Sequence, residues 1–168
     1  RDAHRQGRRA PGQAGRTRRE AHPPGPLRPR LQEAALLAGG PGADLQGVVK
    51  LDDYEDARRI LSLSRRTRSA VVVGGGIIAV ELVEGLLAQG LKVHYFLRGD
   101  RYWPNVLDEN ESRLLEHRLA EEGVVIHFQT EAAEVLGKRG KVVGIRTTKG
   151  ETIRCGIVAV GVGVQPRM

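Results

Sequence analysis

One cysteine, Cys155, stands in the whole of this 168-residue sequence. A lone thiol excludes an internal disulfide and any cysteine-based zinc cluster, and a reducing, cytoplasmic setting is its simplest reading. No run approaches the ~18 consecutive apolar residues of a membrane-spanning helix, so no membrane partner is expected. The N-terminal stretch is charged and has no apolar segment, unlike a secretory signal. His94, His117 and His127 share no metal-ligand spacing, and no metal site is expected.

Charge of one sign is abundant only at the N-terminal end. Residues 1–30 hold nine Arg against Asp2 and Glu20, which accounts for the entire net charge of +7. The other 18 basic and 18 acidic residues cancel. A basic balance confined to this stretch makes no case for a nucleic-acid partner of the body. Leu27 is the only large aliphatic in residues 1–30, so the segment cannot offset its ordering entropy. Residues 1–40 are therefore expected to form a disordered, solvated tail. Two other readings stay open: a basic arm on phosphates, which would lack the usual interleaved aromatics, and Arg/Pro/Gly/Ala-biased sequence of the kind a GC-rich gene yields out of frame.

From Pro41 the composition changes, and 41–69 reads as a connecting segment with one helix. Pro41-Gly42-Ala43-Asp44 reads as a turn, and Val48-Val49-Lys50-Leu51 as a short extended piece. Asp52 and Glu55 suit a capping box that opens a helix to about Leu63, with Tyr54, Ala57, Ile60 and Leu61 as its apolar stripe. Residues 70–168 then read as one Rossmann-like domain. Ala70-Val71-Val72-Val73 is a continuous apolar strand of the kind buried on both faces of a parallel sheet. Gly74-Gly75-Gly76 breaks it, and Ile77 to Gln89 follows as a helix stopped by Gly90. Lys92 to Leu97 is a second strand. Asp108 and Glu111 cap a helix through Glu122, and Val124 to Phe128 is a third strand. The order β-α-β-α-β with short connections implies a right-handed parallel sheet. Ala133–Leu136, Lys141–Thr148 and Thr152–Arg154 read as a β-meander. Gly156 to Val160 returns to the parallel sheet. The fold class is α/β with a β-meander crossover.

Gly74-x-Gly76-x-x-Ala79 sits where a phosphate-binding turn belongs, between a buried strand and a helix. Gly74 permits the tight turn, Gly76 lets backbone approach a pyrophosphate, and Ala79 lets helix and strand pack closely. With Gly75, Ile77 and Ile78, these residues would hold the anion on free amides at the positive end of the helix. An NAD site usually has Asp or Glu at the end of the second strand, for the ribose 2′-hydroxyl. Here Leu97 occupies that position, followed by Arg98 and Arg101, so the charge pattern leans to the 2′-phosphate of NADP(H). The alternative is that both arginines are loop charges beside Asp100 and that NAD binds without the carboxylate. Tyr102-Trp103-Pro104 reads as an aromatic loop that caps the core or covers an adenine. Cys155 reads as a buried, inert thiol.

The glycine turn, Val93 to Arg98, Glu122-Gly123-Val124, the meander and Val160-Gly161-Val162-Gly163-Val164-Gln165-Pro166 together resemble the pyridine-nucleotide-binding domain of the pyridine nucleotide–disulfide oxidoreductase family. The resemblance covers about 41–168. It implies that Glu81 lies near the nicotinamide, where the family's flavin stacks, and that Gly163 flanks the nicotinamide. It implies a protein that passes hydride from NAD(P)H to FAD. Alanine at the third glycine position, with Arg98 after the second strand, resembles the family's NADP-specific members more than its NAD-specific ones. The glycine-rich loop of the family's flavin domain does not occur in 1–50, and the redox cysteine pair is absent. The expected partner is therefore an FAD domain not contained in this chain, and the alternative is a dinucleotide-binding module without turnover of its own. No catalytic residue is assigned.

Overall fold

In a computed structural model, residues 40–161 are described. Residues 1–39 of the expected 1–40 tail, Gly163 and Pro166 lie outside the described residues. Among the described residues, eight strands and three helices form three layers. The strands are β1 (Val48–Val49), β2 (Ser69–Val73), β3 (Lys92–Phe96), β4 (Val125–His127), β5 (Ala132–Lys138), β6 (Lys141–Thr147), β7 (Thr152–Ile153) and β8 (Ile157–Val160). The helices are α1 (Tyr54–Ser64), α2 (Ile77–Ala88) and α3 (Glu109–Glu121). A five-stranded parallel sheet runs β1-β8-β2-β3-β4, and an antiparallel meander runs β5-β6-β7.

The continuous apolar reading of β2 is explained by cover on both faces. Ala70 and Val72 face a core that includes Ile60 of α1, Leu82, Val83 and Leu86 of α2, and Leu119 of α3. Val71 and Val73 face a second core made with Val135, Val142 and Ile145 of the meander and Cys155. Strand β3 alternates in the same way, with Val93 and Tyr95 toward the helices and Phe96 toward the meander. The meander is covered on one side only, so β6 alternates, with Val142 and Ile145 buried and Val143 and Arg146 exposed. Burial pushes the Cys155 thiol up to about 12, which agrees with an inert thiol.

Three local readings are corrected. Asp53 caps α1, not Asp52: its carboxylate accepts the Asp56 N–H at 2.9 Å. The Asp56 carboxylate in turn accepts the Asp52 N–H at 3.0 Å, a role expected of Glu55. The buried stripe of α1 is then Ile60 and Ser64 with Leu63 packed beside them, while Tyr54 and Leu61 are exposed. The edge strand β1 that α1 leans on is two residues long and cannot cover the first helical turn. Ser64 tolerates burial because its hydroxyl donates to the Ile60 carbonyl at 2.8 Å. The hairpin expected to turn over Gly137–Gly140 turns over two residues, Arg139 (φ 53°) and Gly140 (φ 73°), so Gly137 and Lys138 belong to β5. The capping box of α3 is as expected, with Asp108 and Glu111 bonding each other's backbone N–H at 2.9 Å. The short piece at Val48–Val49 joins the sheet as an edge strand beside β8. Among the described residues no helix is long and apolar enough to cross a membrane.

Backbone meets backbone closely at Gly161, just past β8. A Cβ there would lie 2.8 Å from both Cα and Cβ of Ala79 and 2.9 Å from its nitrogen. Gly161→Ala should therefore destabilise the fold by about 1–3 kcal/mol, since backbone must shift to admit it. Gly85→Ala, whose Cβ meets nothing within 4 Å on α2, should stabilise by about 0.5–1 kcal/mol through helix propensity. Urea unfolding of the two variants checks the pair, and equal midpoints would contradict the packing described.

Candidate functional site

The turn from β2 to α2 lies at the carboxyl end of the parallel sheet, hemmed in by its neighbours. Gly74 has φ +143°, and a Cβ on it would stand 2.5 Å from the Gly161 carbonyl oxygen. Its N–H points to the Phe96 carbonyl of β3 at 3.4 Å, and the Gly161 N–H bonds the Val73 carbonyl at 2.8 Å. Gly74 is thus required by the protein itself. Ala79 is fully buried beside Gly161, at the point where α2 packs on the residue that follows β8.

Gly76 is different. It is the N-cap of α2 with an ordinary extended backbone (φ −110°), and a Cβ added there meets nothing within 4 Å. Among the described residues, no protein atom demands glycine at this position. The space a side chain would fill lies in front of the first turn of α2, whose leading amides have no intrahelical acceptor. No side chain caps them, and the first turn of α2 contains no acid. Helices α1 and α3 differ, because an aspartate caps each and acids follow in the first turn. The positive end of α2 is therefore left without a local counter-charge, which favours an external anion. Gly75, Gly76, Ile77 and Ile78 are the residues that border this open space.

The other expected residues take their places around this turn. Gly75 is exposed, and a Cβ on it would lie 3.9 Å from Leu97 Cδ2, so the turn touches the end of β3. The Leu97 side chain itself is buried in the helix-side core and offers a ribose no polar partner. Arg98 and Arg101 are half-buried in the loop that follows. The loop is fixed by Leu97 N–H to the His127 carbonyl, Thr130 N–H to the Leu97 carbonyl and Gln129 N–H to the Gly99 carbonyl, at 2.9 to 3.0 Å. Arg101 also donates to the Pro104 carbonyl at 3.4 Å. Ile77 is exposed, Ile78 is half-buried against the core, and Glu81 is exposed on α2.

Sequence reading missed two arrangements. Tyr102 is buried, and its hydroxyl donates to the Gly76 carbonyl at 3.2 Å, so the aromatic loop reaches the glycine turn. His94 Nδ1 and His127 Nε2 lie 3.0 Å apart across β3 and β4, with His127 edge-on to Phe96. Burial, then His127 and Lys92, hold His94 below the ordinary imidazole range. Burial lowers His127 as well, against the pull of Glu151. Among the described residues no third His, Cys, Asp or Glu joins them to form a metal cluster. A separate open recess of ≈ 530 Å³ between α3 and β4 shares no residue with the glycine turn.

Residues 32–168 match the family described as pyridine nucleotide-disulphide oxidoreductase. Nitrite reductase (NAD(P)H) of Bacillus subtilis is 31% identical over 126 residues, which cover 75% of this chain and 16% of that protein. Rubredoxin-NAD(+) reductase of Ectopseudomonas oleovorans is 28% identical over 127 residues, or 76% of this chain and 33% of that one. This chain thus spans a third or less of either curated relative. Among solved structures, a ferredoxin reductase from Rhodopseudomonas palustris superposes with a TM-score of 0.70 at 27% identity, over 73% of this chain and 30% of that one. The five-stranded parallel sheet, the meander and the matched residues agree: this chain belongs to the pyridine nucleotide–disulphide oxidoreductase family.

Proposed function

We propose that this chain is the NAD(P)H-binding part of a flavin-dependent oxidoreductase, and that it prefers NADP(H). The observation that carries the reading is the open space before Gly76, at a helix end that no side chain caps. The diphosphate rests on the amides of Gly75 to Ile78, where the helix field and the missing side chains favour it. Arg98 and Arg101 take the 2′-phosphate, and Leu97 removes the carboxylate that would repel it. Glu81, one turn into α2, and Gly163 belong to the nicotinamide end of the same ligand. When bound, the nicotinamide supplies the hydride that a flavin accepts, and the chain's task is to hold and orient it.

A solved NADPH oxidase engineered from a water-forming NADH oxidase carries changes at a similar spacing. Its changes include glycine to alanine and, 18 residues on, aspartate to alanine followed directly by alanine to arginine. Ala79, Leu97 and Arg98 have that spacing here. The likeness to that protein is 21% and speaks for the fold alone, so the charge argument at residues 97 and 98 carries the preference. Among the described residues β2, the glycine turn and α2 form the one strand–turn–helix unit of this type, and the dinucleotide takes it. The flavin is then held by residues outside 40–161. The same observation favours a second reading, a dinucleotide-binding module without turnover of its own.

Gly76→Val should abolish coenzyme binding and leave the unfolding midpoint near that of the wild type, because its side chain fills ligand space and its Cβ meets no described protein atom within 4 Å. Calorimetric titration with NADPH checks this, and retained affinity would contradict the placement of the diphosphate. Arg98→Ala should weaken NADPH more than NADH by about 1–3 kcal/mol, the scale of a lost charge-assisted hydrogen bond. Equal losses for the two coenzymes would remove the case for NADP(H).

A further inference from the structure

Tyr102 lies in the loop between β3 and α3, and α3 holds it by both backbone groups. Its N–H donates to Glu116 Oε1 at 2.6 Å, and its carbonyl accepts from Ser112 Oγ at 2.7 Å. Ser112 is fully buried, and its hydroxyl also contacts the Asp108 carbonyl at 2.8 Å, at the start of the same helix. The ring is flanked by Tyr95, with centroids 6.3 Å apart, and by Trp103 at 6.0 Å. Backbone and ring are therefore fixed before the hydroxyl meets anything. From this position the phenol reaches across to the carbonyl of Gly76.

That carbonyl is the informative atom. It accepts two long contacts, the Tyr102 hydroxyl at 3.2 Å and the first helical bond of α2, from the Val80 N–H, at 3.4 Å, so each restrains it in part and loss of either loosens it. Gly76 has no Cβ to limit its rotation, so one long bond leaves the peptide that follows it free to rock. In a trans peptide the carbonyl and the next N–H point in opposite directions. Holding the Gly76 carbonyl inward therefore holds the Ile77 N–H outward, into the space before the turn. Filling the core does not by itself call for such a bond. The Tyr95 hydroxyl, buried in the same core, has no hydrogen-bond partner.

We propose that Tyr102 is a positioning residue for the diphosphate site, fixing the Gly76–Ile77 peptide so that the Ile77 amide faces the anion. The proposal rests on the dinucleotide reading above. It makes α3 part of the site's support, through Ser112 and Glu116 to Tyr102 and on to Gly76. Both coenzymes carry the diphosphate, so the contribution is the same for each, unlike that of Arg98.

The test is Tyr102→Phe in the full chain, which keeps the ring and removes the oxygen. NADPH and NADH are titrated by calorimetry, and amide hydrogen exchange is followed without ligand. Both coenzymes should weaken by the same factor, about 3- to 10-fold, the scale of one neutral hydrogen bond. The Val80 amide, which bonds the same Gly76 carbonyl, should exchange faster in the variant, while the core amides of Val72 and Ala159 exchange as in the wild type. Unchanged affinity for both coenzymes overturns the proposal, as does faster exchange throughout the core, which would mark a general structural role. A wild-type chain that binds neither coenzyme overturns the dinucleotide reading and this proposal with it.

Discussion

Three backbone segments converge at the carboxyl end of the sheet with almost no side-chain matter between them. The end of β2 at Gly74, the first turn of α2 at Ala79 and the end of β8 at Gly161 approach so closely that a methyl group on either glycine would collide with backbone. This contact sets how deep α2 sits against the sheet. The helix also starts bare, because its N-cap is Gly76, a position with room for a capping side chain that the sequence does not supply. The close contact fixes the helix against the sheet, and the missing side chain at Gly76 leaves its leading amides exposed.

Electrostatics follow from that geometry. The sequence neutralises the positive ends of α1 and α3 with Asp53 and Asp108 and leaves that of α2 to glycine. A few ångströms away, the end of β3 carries Leu97 where a carboxylate would repel a phosphate, and then Arg98 and Arg101. The local charge at this rim is therefore positive although the 138 residues after position 30 are neutral as a set. Placement, not net charge, makes the surface suited to an anion.

How much of this could be read from sequence depended on the range of the interaction. The glycine turn was legible because its demands are met within six residues, Gly74 to Ala79, between a recognisable strand and helix. The capping box of α3 was legible for the same reason. Asp52 and Asp53 are equivalent as candidate caps, and only the direction of chain entry selects the second. The two-residue strand β1 is too short to show a period, yet it pairs with β8 over 100 residues away. Gly161 gave no sign that Ala79 would be its neighbour. Tyr102 was recognised as aromatic and core-forming, but which carbonyl its hydroxyl would meet depends on α3 and α2 together. The His94–His127 pair was invisible because it arises from the register of two adjacent strands.

The central claim is that an anion of the coenzyme docks on the uncovered amides at the start of α2. Backbone amide shifts of the labelled chain, followed as NADPH is added, test it most directly. The account predicts that the largest changes fall on Gly75, Gly76, Ile77 and Ile78, with a second group at Arg98 to Arg101. Changes centred on the recess between α3 and β4, or none at saturating coenzyme, would contradict it.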